Sequence, residues 1–155
     1  MDEHLVCKSP DGKTREVLRS RLIFRPSVYG IIVSNGKLLV TLSRTTGKWK
    51  LPGGGISLGE PMKATLHREL FEECGIKIQI EKQAFFKEDL FCFDGQYAAW
   101  QAHLFFYFVT PLSLEVTNQN NVTGDESDHP QWMEIASLKP QDFQFAGEEI
   151  MKTIR

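Results

Sequence analysis

At 155 residues, 41% hydrophobic and 25% charged, the chain has the size and balance of one globular domain that buries its own core without disulfides or a structural metal. A formal charge of −2 with no long Lys/Arg run argues against a protein that grips DNA or RNA chiefly by neutralising phosphates, so nucleic acid is not the expected partner and small nucleotides stay open. Cys7, Cys74 and Cys92 form no C-x-x-C pair or disulfide framework, and no run reads as a signal peptide or a membrane span, so a reducing, cytoplasmic setting without a membrane is expected.

In chain order, Asp11-Gly12 lies between two short extended segments and is expected to turn a small hairpin at an edge. From Val28 to Arg44, Val-Tyr-Gly-Ile-Ile-Val and Lys-Leu-Leu-Val-Thr-Leu flank Asn35-Gly36, the strongest short hairpin signal, which predicts two antiparallel, largely buried strands. Leu51 to Leu58 is too rich in glycine for helix or strand interior and reads as a loop whose backbone can approach a ligand closely. A helix of about four turns follows, with Pro61 at its first position, Gly75 as its stop, and Leu66, Leu70 and Cys74 on the buried stripe.

Lys77 to Ile80 alternates like a half-buried strand, Ala84 to Phe93 reads as another ending at Asp94-Gly95, and Trp100 to Val109 reads as a central strand paired with it. Asn118 to Pro130 is polar and reads as a mobile surface loop before a short strand around Trp132 to Ile135. Phe145 to Ile154 reads as a final helix with Ile150 and Ile154 inward. No repeat or linker interrupts the chain, so residues 1–155 are expected to be a single α+β or α/β domain.

The chemistry is concentrated in the first helix. At about 100° per residue, Glu69, Glu72 and Glu73 fall on one side of it, and like charges so placed destabilise a helix unless a cation compensates them. A hard divalent ion does so: magnesium, with manganese as the alternative, takes oxygen ligands and shares itself between carboxylates and substrate phosphates. The preceding glycines can add a bare backbone carbonyl and admit phosphates, and a glutamate beside a metal-bound water can act as general base. If Glu72 and Glu73 hold the metal, Glu72→Gln or Glu73→Gln is expected to cut turnover by orders of magnitude while leaving the fold intact or slightly more stable in metal-free buffer, because self-repulsion is relieved.

Gly54, Glu60, Arg68, Glu69, Leu70, Glu72, Glu73, Gly75 and Ile76 occupy every specified position of the Nudix box, whose seven fixed identities coincide by chance on the order of once in 10⁹ starting positions. The chain therefore resembles the Nudix hydrolases over Gly54 to Ile76, and Trp49 and Leu51-Pro52-Gly53-Gly54 resemble the usual entry to the box. The resemblance implies an αβα sandwich around a mixed β-sheet. It also implies divalent-metal-dependent hydrolysis of a diphosphate bond in a nucleoside diphosphate linked to another moiety, water attacking phosphorus.

Carried over residue by residue, Glu69, Glu72 and Glu73 are the metal-binding acids and Gly53 lends a carbonyl to the metal. Glu69, Glu72 and Arg68 are the candidate catalytic residues, with Glu69 or a glutamate outside the box as base and Arg68 paired with Glu60 to orient the helix acids. Glu126, before Trp132, resembles an acid that many members add from a late loop, with Asp125 and Asp128 as neighbours. Arg44 and Lys48, with Lys50, are candidates to meet substrate phosphates, each with a plain surface role as the alternative.

Tyr29, Phe86, Phe91, Trp100 and Phe106 could stack on a base, although aromatics in strands are more often core. His67 and His103 do not have zinc-ligand spacing. Lys87 to Phe93 lacks the proline often found in the ADP-ribose branch, and Tyr97 matches the tyrosine of the diadenosine polyphosphate branch only approximately. Nucleoside triphosphates, nucleotide sugars and RNA 5′ ends stay open as substrates, as does pairing into a homodimer. The alternative from another class is a catalytically weak nucleotide-binding sensor or regulatory module.

Overall fold

A computed structural model describes residues 1–92, 99–121 and 127–155. The Asp11-Gly12 turn joins β1 (His4–Lys8) to β2 (Thr14–Leu18) as an antiparallel pair, and this hairpin forms one edge of a six-stranded sheet, as its sequence predicts. Beyond it come β3 (Leu22–Ile31), β4 (Val33–Ser34), β5 (Lys37–Ser43), β6 (Trp49–Lys50) and β7 (Gly53–Gly55), then helix α1 (Met62–Cys74). The remainder is β8 (Ile78–Cys92), β9 (Ala99–Pro111), β10 (Ser127–Glu134) and helix α2 (Gly147–Ile154).

The larger sheet has the order β2-β1-β8-β9-β3-β7 and is mixed, because β1–β8 and β3–β9 run parallel while its other neighbours run antiparallel. A second sheet, β10-β5-β4, carries β6 against β5. Side-chain alternation divides the core between the two faces. Val28 and Leu39 pack with Leu66 and Leu70 of α1, whereas Tyr29, Ile31, Leu38 and Val40 pack with Phe106 and with Ile150 and Met151 of α2. One helix on each face makes the αβα sandwich that the resemblance implied.

Leu66 and Leu70 are fully buried, each worth about 1.5–3 kcal/mol over an exposed side chain. Gly30 lets them approach β3, since a Cβ there would lie 3.3 Å from Leu70 and 3.7 Å from Leu66. Pro61 is the cap residue just outside α1, and Gly75 closes the helix at φ 70°, a left-handed stop that glycine adopts without steric cost.

Several boundaries differ from the sequence reading. Asn35 and Gly36, at φ 50° and 74°, do turn a two-residue hairpin with Ser34 opposite Lys37. Its first arm is only β4, however, because residues 22–31 leave for the other sheet and pair with β9 over ten positions, Leu22↔Ala99 to Ile31↔Phe108. The glycine segment is not wholly loop. Gly53–Gly55 is a strand against β3, and a Cβ on Gly53 would stand 2.1 Å from the Val28 carbonyl oxygen, so glycine here marks close pairing.

Lys77 to Ile80 and Ala84 to Phe93 were expected as two strands, but Ile78–Cys92 is one strand, β8, whose alternation is broken by register shifts between Ile80, Gln83 and Phe85, and the Asp94-Gly95 turn lies outside the described residues. The stretch from Ser127 to Pro130, expected as loop, already belongs to β10, with Ser127 and Asp128 paired to Ser43 and Leu42 of β5 and the register shifting before Gln131. The last helix starts at Gly147, after Ala146 in a left-handed turn, and its Ile154 is half-buried. Among the described residues no helix is long and apolar enough to cross a membrane.

Candidate active site

The Gly53–Gly55 strand lies alongside α1 and brings backbone against its acids. Gly53 N–H donates to Glu73 Oε2 at 2.8 Å, and Lys50 Nζ stands 3.5 Å from Glu73 Oε1. A Cβ on Gly54 would meet Glu69 Oε1 at 2.9 Å, so the second glycine clears the space that Glu69 fills. Glu73 and Glu69 have side chains 0% and 8% exposed, while Glu72, on the outer side of the same arc, is 26% exposed.

Arg68 ties the outer half of the site together. Its Nε and Nη2 donate to Glu60 at 2.8 and 2.9 Å in a two-pronged pair, and its Nη1 reaches Glu69 Oε1 and Glu72 Oε2 at 3.2 Å each. Thr65 Oγ1 adds a 2.6 Å bond to Glu60. The hydrogen bonds from Arg68 and then Thr65 pull the Glu60 carboxyl down to about 2, and the bond to Glu60 holds the Arg68 guanidinium above its ordinary range. Arg68 thus pairs with Glu60 while touching two of the helix acids, the contacts that the orienting role implied by the resemblance would require.

Sequence reasoning assigned the compensation of the crowded carboxylates to a divalent ion alone. The fold supplies two cations of its own, with Arg68 bridging Glu69 and Glu72 and Lys50 against Glu73. Among the described residues no three Asp, Glu, His or Cys side chains converge as a finished metal cage. The donor set still suits a hard cation: Glu69, Glu72 and Glu73 offer carboxylate oxygens, and Gly53 and Gly54, having no side chains of their own, bring backbone close to Glu73 and Glu69.

A cavity of about 390 Å³ opens over this corner, with Lys50, Gly53 and Glu69 among its lining groups. Arg25, Trp100, Phe145 and Gln144 also line it, and the Arg25 guanidinium sits 4.2 Å from the centroid of the Trp100 ring. Arg25 and Glu69 also line a neighbouring hollow of about 360 Å³ that reaches Arg68. A larger cavity, about 640 Å³, lies between the β1–β2 hairpin and β8 beside Leu5, Arg19 and Asp89. It contains none of the helix acids, so the smaller cavity is the candidate site despite its size.

The other candidates are dispersed. Arg44 is exposed, and Lys48 donates from Nζ to the Pro10 carbonyl at 2.8 Å; neither lines the cavity, whereas Lys50 does. Glu126, Asp125 and Tyr97 lie outside the described residues, and Asp128 pairs through its backbone with Leu42. Phe106 is core, stacked on Phe85, while Tyr29 is 5% exposed yet reaches the cavity wall, where burial pushes its phenol up. His67 is exposed, His103 stands among Phe24 and Phe86, and Cys74 is a buried thiol pushed well up by burial.

Arg25, Gln144 and Phe145 were not legible as site residues. An isolated arginine in an apolar strand and a Gln-Phe pair before a helix carry no spacing signal, and only the crossing of β3, β9 and the approach to α2 unites them.

Residues 24–154 match the NUDIX domain family. The chain belongs to that family. Over 153 residues it is 29% identical to the RNA pyrophosphohydrolase of Bartonella bacilliformis, covering 81% of this chain and 86% of that protein. It is 37% identical over 76 residues to the RNA pyrophosphohydrolase of Mesorhizobium japonicum, a match that spans 42% of this chain and only 43% of that relative's length. The MutT NUDIX hydrolase of Burkholderia pseudomallei shares the Nudix fold at a TM-score of 0.67 and 20% identity, over 86% of this chain and 99% of that one.

Proposed function

We propose that this Nudix protein is a divalent-metal-dependent hydrolase that cuts the phosphoanhydride bond of a nucleoside diphosphate linked to another moiety, with water attacking phosphorus. The observation that carries this reading is the meeting of β7 and α1, where side-chain-free backbone faces Glu69 and Glu73 at the edge of a cavity bearing Lys50 and Arg25. Nudix hydrolases generally need divalent ions, and Glu69, Glu72, Glu73 and the Gly53 carbonyl are the groups that would hold one here. Such an ion neutralises phosphate charge and lowers the pKa of a bound water.

The remaining roles belong to the chain itself. Glu69 lines both hollows and is the carboxylate placed to take a proton from attacking water. Lys50 and Arg25 offset the charge of entering phosphates, and Arg68, braced by Glu60, fixes the rotamers of Glu69 and Glu72. Likeness over most of the chain to an RNA pyrophosphohydrolase supports a 5′ triphosphate end among the substrates, even though the net charge of −2 gives no broad basic surface for an RNA chain.

The test is turnover by purified protein on nucleoside triphosphates, dinucleoside polyphosphates, nucleotide sugars, ADP-ribose and a 5′-triphosphate RNA oligonucleotide, with magnesium, manganese or chelator and products identified by mass. Chelator-sensitive cleavage between phosphates is expected for one class. Silence across the panel from folded protein overturns the hydrolase reading in favour of a nucleotide-binding module.

A further inference from the structure

Gln144 is 6% exposed and lines the cavity together with Trp100 and Phe145. A carboxamide is costly to bury unless its polar atoms are used. Its backbone is pinned, because Gln144 N–H donates to the Trp49 carbonyl at 2.8 Å, which ties the residue to β6 beside Lys50. Its side chain is held by a short relay: Lys48 N–H donates to Thr46 Oγ1 at 3.3 Å, and that hydroxyl donates to Gln144 Oε1 at 3.4 Å. Among the described residues that is the carboxamide's only side-chain hydrogen bond, and the two N–H groups of Nε2 have no acceptor.

We propose that Gln144 selects the nucleobase of the substrate, with Nε2 donating to an acceptor on the base edge and Thr46 acting as the positioning residue that keeps Oε1 engaged. The proposal rests on the nucleotide reading of the cavity given above. The surroundings suit a base: Trp100 and Phe145 offer aromatic surface, and Arg25 and Lys50 lie in the same cavity for the phosphates to which a nucleoside is joined.

A donating prong discriminates. Where guanine and uracil carry a carbonyl oxygen, adenine and cytosine carry an amino group, which would set donor against donor. Rejecting the wrong edge strands a buried donor, a loss that corresponds to about tenfold in affinity. A bracing role alone, in which Gln144 merely steadies the turn through Thr46, predicts changes in stability but none in the ratio of affinities among bases.

The test measures calorimetric binding of GMP, AMP, UMP and CMP to the full chain in magnesium buffer. These probes contain no phosphoanhydride bond, so base recognition is read without turnover, and failure of the hydrolase reading is seen separately in the substrate panel. Wild-type protein is expected to prefer GMP over AMP and UMP over CMP by about tenfold. Gln144→Ala should bring both ratios within about twofold, and Thr46→Val should lower them less. Gln144→Glu, which keeps the shape and exchanges the donor for an acceptor, should reverse the order and guards against an alanine variant that fails to fold. Absence of binding by all four probes, equal binding in wild type, or an unchanged order in Gln144→Glu overturns the proposal.

Discussion

Lys50 and Glu73 form an ion pair, Nζ to Oε1 at 3.5 Å, with side chains 7% and 0% exposed, and the same carboxylate accepts from Gly53 N–H through its other oxygen. An acid proposed to hold the metal is therefore also a structural element between β6, β7 and α1. Two consequences follow from its burial: the pair is costly to break from either side, and a divalent ion entering here competes with Lys50 for the same charge.

Lys50→Met should remove the cation that faces the buried Glu73 carboxylate and cost about 3–5 kcal/mol in chelator. Saturating magnesium should recover part of that loss, since the ion stabilises only the state that binds it. Urea unfolding with and without magnesium checks this. An equal loss in both buffers would show that no ion reaches Glu73.

Glu72→Gln and Glu73→Gln should both lower turnover by orders of magnitude, but their stabilities should part. Glu72 is a quarter exposed and meets Arg68 at i, i+4, so its neutral variant should fold within about 0.5 kcal/mol of wild type. Glu73→Gln removes the charge facing buried Lys50 and should lose about 3 kcal/mol or more, the opposite of the relief that crowding on the helix alone implied. Paired activity and denaturation measurements decide it. Equal stability of the two variants would count against the buried pair.

The helix acids, their orienting pair and the glycine approach were legible because box spacing converts directly into one helix face and one cap. The Asp11-Gly12 and Asn35-Gly36 turns were legible from local chemistry in the same way. The continuity of β8 was not, since its register shifts place Ile80 and Phe85 in a rhythm that reads as two strands. Nor was the sheet change between Ile31 and Val33, because residues 28–31 of β3 and 38–40 of β5 are buried and apolar whichever sheet holds them. The cavity wall was legible only in part: Trp100 and Lys50 stood among the candidates, but Arg25, Gln144 and Phe145 are joined to them only by long-range pairing, and nothing local shows that Lys50 lines the cavity while Lys48 bonds the Pro10 carbonyl.

The two central glycines should separate fold from chemistry. Gly53 has φ 142°, and an added Cβ would stand 2.1 Å from backbone oxygen, so Gly53→Ala must break the β3–β7 pairing and should cost several kcal/mol, on the order of 3. In Gly54→Ala the obstacle is the end of the Glu69 side chain, at 2.9 Å, which can swing aside. That variant should keep its melting temperature within a few degrees while turnover falls by about tenfold or more, because Glu69 is displaced. Wild-type turnover in Gly54→Ala would remove Glu69 from the catalytic set.

The Glu60 carboxyl supplies an acid-sensitive brace. Its pKa in the folded chain is about 2, lowered from an ordinary 4.5 by the bonds from Arg68 and Thr65, so the unfolded state binds the proton more readily. The sign follows from linkage: the contribution is fully present above pH 4.5 and drains away as pH falls towards 2. Glu60→Gln should lack that segment of the acid limb, its urea midpoint falling less steeply than wild type between those pH values. At neutral pH the same variant should loosen Arg68, since the two-pronged pair at 2.8 and 2.9 Å is lost, and should lower kcat more than it raises KM. Parallel acid limbs for the two proteins would mean that Glu60 is solvated and does not brace the site.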